Sequence, residues 1–221
     1  MHPAQPDLTT DSVQARDTGP VTRMFVAVIP PENVIEDLEE FIAPRRGEVP
    51  FRWTQPDQWH LTLAFSDDVP DRSYDDLVDR LGRAARKRSP VGARIAGGGA
   101  FPHVGRAKIL FAGVDTDLEE LRRTATGARA AVAKSGAEVD GQRFRPHLTL
   151  ARIGRPVEAT RFIRLLDAYA GPSWSVDEIA LVASYLGQGP RNRARHEVVE
   201  TFTLGRAGSG PAPAAAPPRG R

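Results

Sequence analysis

His60-Leu-Thr-Leu-Ala64 and His147-Leu-Thr-Leu-Ala151 are one pentapeptide written twice in a chain of 221 residues, and the two copies hold two of its five histidines. Side chains alternate along a strand, so His60 and Thr62 share one face while Leu61 and Leu63 take the other. His147 and Thr149 repeat the arrangement against Leu148 and Leu150. Each copy therefore delivers one imidazole and one hydroxyl to the same space. Packing alone gives a reason to keep the leucines and the alanine, but none to keep a polar pair on one side, so the repetition points to a two-histidine site.

Working outward from the motifs, the same plan recurs on either side. Met24–Ile29 is apolar throughout, as a strand covered on both faces is, and Pro30-Pro31 ends it. Val34, Ile35, Leu38, Phe41 and Ile42 fall at helical spacing and predict a helix over 32–42. Phe51–Trp53 and Trp59–Phe65 read as strands, the latter carrying the first motif. Ser73 with Asp76 has the form of a capping box opening a helix to about 88. In the second half Ala107–Val114 reads as a strand. Thr116 with Glu119 again has the capping-box form, ahead of a helix to about 134 with Leu118, Leu121, Ala125, Ala128 and Val132 inward. Phe144–Ile153 carries the second motif. A last helix near 158–170 and closing strands near 174–185 and 196–202 complete the pattern. Phe25 to His60 and Phe111 to His147 span nearly the same number of residues, so we expect an α+β fold of two duplicated lobes, with two antiparallel sheets lining a central cleft and helices outside.

Composition bounds the chemistry. There is no cysteine, which excludes disulfides, thiolate metal sites and a cysteine nucleophile. Residues 1–22 mix Pro, Asp, Thr and Gln and read as a disordered leader, without the basic start and apolar run of a secretory signal. Residues 206–221 read as a disordered Pro/Ala/Gly tail, which leaves 23–205 as the folded domain. No apolar run is long enough to span a membrane, and a cytoplasmic monomer is expected. The net charge is only +2, but arginines cluster at Arg83, Arg86, Lys87 and Arg88 and at Arg191, Arg193 and Arg195, which favours a polyanionic partner.

Two histidines facing one cleft suit acid-base chemistry on a phosphate. An imidazole with a pKa near 6.5 can be neutral in one copy and protonated in the other, so one takes a proton while its counterpart gives one. Threonine hydroxyls can bond non-bridging oxygens without engaging either ring. Two His and two Thr, with no carboxylate in either motif, make a poor ligand set for zinc or magnesium, so no metal or other cofactor is expected.

The double motif resembles that of the 2H phosphoesterase superfamily. The flanks sharpen the match: Phe25-Val-Ala-Val-Ile-Pro-Pro31, Arg52-Trp53 ahead of the first motif, and Pro146 and Arg152 around the second. Within the superfamily the chain is most similar to the bacterial and archaeal RNA 2',3'-cyclic phosphodiesterases, also called 2'-5' RNA ligase-like. The resemblance runs from about Met24 to Leu204 and leaves open whether Met1 or Met24 is the true start. It implies metal-free hydrolysis of RNA 2',3'-cyclic phosphate ends to 2'-phosphomonoesters. On that pattern His60 is the proton donor to the leaving 3'-oxygen, His147 the proton acceptor that activates water, and Thr62 and Thr149 hold the phosphate.

Arg152 also matches the family pattern, as a phosphate contact. Strict alternation sets it on the face opposite His147, so it reaches the cleft only if the strand bends or bulges. Phe101-Pro-His103 matches a family loop after Gly97–Gly99, and His103 reads as a loop residue. Gly189-Pro190 is followed by Arg191, Asn192 and Arg193, where the family has an aromatic residue. The other readings are 2'-5' RNA ligation by the same acid-base pair, a different cyclic nucleotide as substrate, or a non-catalytic RNA-binding module.

Overall fold

The computed structural model describes residues 21–48, 51–141 and 143–205. The expected leader and tail otherwise lie outside the described residues, except that Val21 and Thr22 already belong to the first strand. In chain order the elements are β1 (Val21–Val28), α1 (Glu32–Ile42), β2 (Arg52–Trp53), β3 (Leu61–Pro70), α2 (Tyr74–Ala85), β4 (Val91–Phe101), β5 (Ala107–Thr116), α3 (Leu118–Lys134), β6 (Leu148–Val157), α4 (Thr160–Asp167), β7 (Ala170–Val176), β8 (Glu178–Gly189) and β9 (Arg193–Thr203).

The fold is α+β, but the strands form one antiparallel sheet rather than two. Their order is β7-β4-β5-β6-β3-β1-β8-β9, with β2 paired to β6. What looks from the sequence like a division between sheets is a thin join. β3 and β6 pair through Leu61 and Leu148 alone among the described residues, and β6 then turns to β2, where Arg52 faces Arg152 and Trp53 faces Ala151.

The two faces of β1 explain its unbroken apolar sequence. Met24, Val26 and Val28 enter the main core with the helices, whereas Phe25 and Ala27 join Ala180 and Val182 of β8 in a smaller cluster on the opposite face. That second face carries the cleft. Helix α1 matches its predicted bounds and buries Val34, Leu38 and Ile42. In α3, Leu121, Ala125, Ala128 and Val132 are buried as expected, but Leu118 is exposed at the first turn.

Both capping boxes fail. Ser73 has helical backbone angles at the end of a short 3-10 turn and makes no capping bond. At α3 the cap is Asp117, whose carboxylate accepts from the amides of Glu119 and Glu120, while the Thr116 hydroxyl donates to the Gly92 carbonyl across the β4–β5 pair. An ionised carboxylate satisfies two free amides and meets the positive helix end, which a hydroxyl does less well. Asp117→Ala is therefore expected to lower stability by about 1 kcal/mol, read as a shift in the urea midpoint with an unchanged slope.

Three further elements depart from the sequence reading. The last predicted helix is shorter, and the closing region holds three strands rather than two. Strand β4 was not anticipated, because Gly97–Gly99 reads as a chain breaker. The glycines are instead what lets β4 lie close to its neighbours. A Cβ on Gly98 would sit 2.6 Å from the Leu166 Cβ, and one on Gly113 of β5 would sit 2.6 Å from the Ala96 carbonyl oxygen. Pairing at this separation is possible only without side chains.

Candidate active site

The antiparallel pairing of Leu61 with Leu148 fixes how the two motifs meet. Both leucines are buried in the core, so their neighbours point the other way, into the cleft. Continuing that register sets His60 across from Thr149 and Thr62 across from His147. The two histidines are close enough for His147 to act on His60 electrostatically. His60, Thr62, His147, Thr149 and Arg152 all line one cleft of about 320 Å³.

Arg152 reaches the cleft because β6 bulges. In the β5–β6 pair Leu110 faces Ala151 while Phe111 faces Thr149, so Leu150 is an extra residue and the alternation shifts phase after it. The same device recurs in β3, where Val26 faces Ala64 and Ala27 faces Thr62, leaving Leu63 extra. The place five residues after each motif histidine is thus turned toward the cleft. It holds Arg152 in one strand and Phe65 in the other. Beside Phe65, the Arg23 guanidinium lies over the ring at 4.6 Å and itself lines the cleft.

The backbone sets the tautomer of both imidazoles. His60 Nδ1 donates to the Gln58 carbonyl at 2.7 Å, and His147 Nδ1 donates to the Arg145 carbonyl at 2.7 Å. A carbonyl can only accept, so Nδ1 carries the hydrogen and Nε2 of each neutral ring is left as an acceptor. Aromatic packing then fixes the ring planes. His60 stacks on Phe25 at 4.5 Å, and His147 meets Phe101 and Phe111 edge-on at 5.1 and 5.3 Å.

These supports come from non-corresponding positions. Phe25 faces Phe65 whereas Phe111 faces Thr149, so the register partner of Phe25 in the second half is Ile109, not Phe111. The similar spacing of Phe25 and Phe111 from their histidines does not mark equivalent places.

Burial makes both rings poor bases. It pushes His60 down to about 4, with the nearby His196, His147 and Arg152 adding to the effect and the Gln58 bond opposing it. His147 is also lowered, first by burial and then by Arg145 and Arg152.

Gly99 of β4 makes room for this arrangement, since a Cβ there would stand 2.2 Å from Phe111 Cζ. Gly99→Ala is expected to cost about 1–3 kcal/mol by overpacking, visible as a lowered melting temperature. The displaced Phe111 ring would also disturb His147.

Residues beyond the repeated motif complete the wall. Arg23, Arg52, Gln58, Ser184, Arg193 and His196 all line the cleft. Gln58 donates to the Ala194 carbonyl and Arg193 to the Trp53 carbonyl, tying the segment before the first motif to β9. Of the predicted arginine clusters, Arg193 lines the cleft, whereas Arg83 pairs with Asp79 on the solvent face of α2, Arg88 with Glu120, and Arg195 with Glu197 and the Tyr185 ring. His103 is exposed in the loop after β4, away from the cleft. Among the described residues no group of three or more His, Cys, Asp or Glu is placed to hold a metal, and no helix is long and apolar enough to cross a membrane.

The chain resembles known proteins over most of its length. The family model described as the 2'-5' RNA ligase superfamily matches residues 30–188. An RNA 2',3'-cyclic phosphodiesterase of Thermus thermophilus is 34% identical over 192 residues, covering 82% of this chain and 90% of that protein. One of Aquifex aeolicus is 28% identical, covering 84% of this chain and 98% of its own length. Among solved structures, one from Thermus thermophilus superposes with a TM-score of 0.67 at 34% identity, over 82% of this chain and 97% of that one. Apo E. coli LigT superposes with a TM-score of 0.68 at 24% identity, over 84% and 99%, and shares the fold. By family match and by identity over most of its length, the chain belongs to the 2'-5' RNA ligase superfamily.

Proposed function

We propose that this chain hydrolyses the 2',3'-cyclic phosphate end of RNA to a 2'-phosphomonoester, without a metal, using His60 as general acid and His147 as general base. The observation that carries the reading is the presence in one cleft of two imidazoles, each with Nδ1 occupied by a backbone carbonyl and Nε2 left for chemistry. A phosphorus held between them has water on the His147 side and the leaving 3'-oxygen on the His60 side, the in-line arrangement that displacement requires. Thr62 and Thr149 donate to the non-bridging oxygens, and Arg152 adds a charge-assisted contact. The near-symmetry of the motifs reflects, on this reading, a duplicated lobe, and one chain supplies the whole cleft. The names of the relatives support the substrate class.

The low pKa of His60 is compatible with an acid role because the substrate is an anion. A unit charge 4 Å away at an effective dielectric of 20 contributes about 4 kcal/mol, or roughly three pKa units, enough to offset the burial once phosphate is bound. This gives a pH prediction. The profile of kcat/KM reports the free protein, where His60 titrates near 4 and His147 below its usual value, so its bell is centred on the acid side of 6.5. The profile of kcat reports the complex, where the anion has raised both groups, so its bell lies at higher pH. Coincident profiles, or a flat response between about pH 5 and 8, would count against paired histidines.

The deciding experiment is incubation with a short RNA ending in a 2',3'-cyclic phosphate, in EDTA, with identification of the product. A 2'-phosphomonoester supports the reading. A 3'-phosphomonoester reverses the assignment of the leaving oxygen, and RNA binding without turnover replaces the enzyme with a binding module.

A further inference from the structure

The cleft carries more positive charge than the proposed reaction needs. Four guanidinium groups, Arg23, Arg52, Arg152 and Arg193, line it, and no carboxylate among the described residues does. A cyclic phosphate diester has a single negative charge, which Arg152 and the two threonines already meet on the reading above.

One of the remaining guanidiniums, Arg23, stands with a third cleft histidine, His196, on the His60 side. His196 of β9 is half-buried, meets His60 edge-on at 5.5 Å and Phe25 at 5.0 Å, and lies across from Ser184 in the β8–β9 register. Arg23 of β1 is close enough to act on His196 electrostatically. Its Nη1 is 3.4 Å from a largely exposed Asp67, and its Nε is buried with no hydrogen-bond acceptor among the described residues. Both residues also border the point where the cleft opens into a wider groove of about 1370 Å³.

The covalent structure of a nucleotide says what belongs there. C3', which bears the leaving oxygen, is bonded to C4', and C4' carries the 5' carbon with the next phosphate. With the leaving 3'-oxygen at His60, the strand continues on the His60 side, toward Arg23 and His196.

We propose that Arg23 and His196 form a second phosphate subsite, which takes the phosphate on the 5' carbon of the terminal nucleotide, so that the cleft favours a strand end over a free nucleoside cyclic phosphate. This rests on the proposed hydrolysis with His60 on the leaving-group side. The guanidinium offers charge-assisted N–H bonds and the imidazole a further N–H donor from β9, across β8 from β1, a pair that suits a tetrahedral anion.

The test compares adenosine 2',3'-cyclic phosphate bearing a 5'-hydroxyl with the same compound bearing a 5'-phosphate, for the unaltered chain, His196→Gln and Arg23→Gln, with melting temperatures recorded for each. The expected preference for the 5'-phosphorylated compound is about tenfold or more in kcat/KM, carried mainly by KM, as for one hydrogen bond to a charged group. Each substitution should bring that ratio toward one. Because the two residues lie on different strands, a matching loss of the ratio in both variants is not the mark of one misfolded protein. An equal loss of activity on both compounds, leaving the ratio intact, would overturn the subsite. So would equal rates for the unaltered chain, with the hydrolytic reading left standing. Absence of turnover on both compounds and on cyclic-ended RNA would overturn the hydrolytic reading and the subsite together.

Discussion

Alanine at His60 or at His147 is expected to lower kcat on cyclic-phosphate-ended RNA by about 100- to 10,000-fold, the usual contribution of a positioned general acid or base. The double variant should be little worse than the weaker single one, because a donor without its acceptor leaves the same uncatalysed step. On the proposed reading Thr62, Thr149 and Arg152 hold the phosphate independently of the rings, so affinity for a 2'-phosphate product should change far less. Single-turnover rates with equilibrium binding separate the two effects. A loss confined to binding would remove the acid-base roles, and two single losses that multiply in the double variant would mean that the histidines act in separate steps.

Leu148→Ala is expected to destabilise the protein by about 2–5 kcal/mol, the range for a leucine deleted from a tight core. Leu148 is fully buried, and with its backbone partner Leu61 it makes the direct pairing between β3 and β6. For a domain of this size the loss corresponds to a fall in melting temperature of roughly 5–20 °C. Activity should fall as well, since the pair that carries the leucines also sets the separation of the imidazoles. The contrast with His147→Ala is the informative part. The histidine variant should lose turnover with only a small change in melting temperature, whereas the leucine variant should lose both. Scanning calorimetry beside the turnover assay reads the difference. A Leu148→Ala protein that melts normally would show that the join between the halves bears little of the stability.

How much of this was legible in the sequence depends on whether a feature repeats. The motifs were legible because identical residues stood in corresponding places, and α1 because Val34, Leu38 and Ile42 keep helical spacing. Strand β4 was not, since three successive glycines carry no periodic signal and only the closeness of Leu166 and Phe111 shows why they stand in a sheet. The cap of α3 was misplaced by one residue because Thr116 and Asp117 both suit the role locally, and the cross-strand bond to Gly92 decides between them. Arg152 was assigned to the cleft by resemblance yet against simple alternation, and the bulge at Leu150 resolves the conflict. Arg23 and His196 had no sequence signal as site residues. They come from strands at opposite ends of the chain, and only the order β3-β1-β8-β9 brings them beside His60.

The Leu61–Leu148 pair also determines which changes of length this protein can absorb. In an antiparallel ladder one added or lost residue exchanges the two faces of a strand. A single insertion between His60 and Leu61, or between His147 and Leu148, would turn the imidazole out of phase with the hydroxyl and leucines that follow it, which the ladder to the next strand holds in place. Elsewhere the chain can lengthen at its loops for a small entropic cost. In a library of single-residue insertions these two short windows should therefore be silent gaps, in contrast to the connection after β4, where added residues survive.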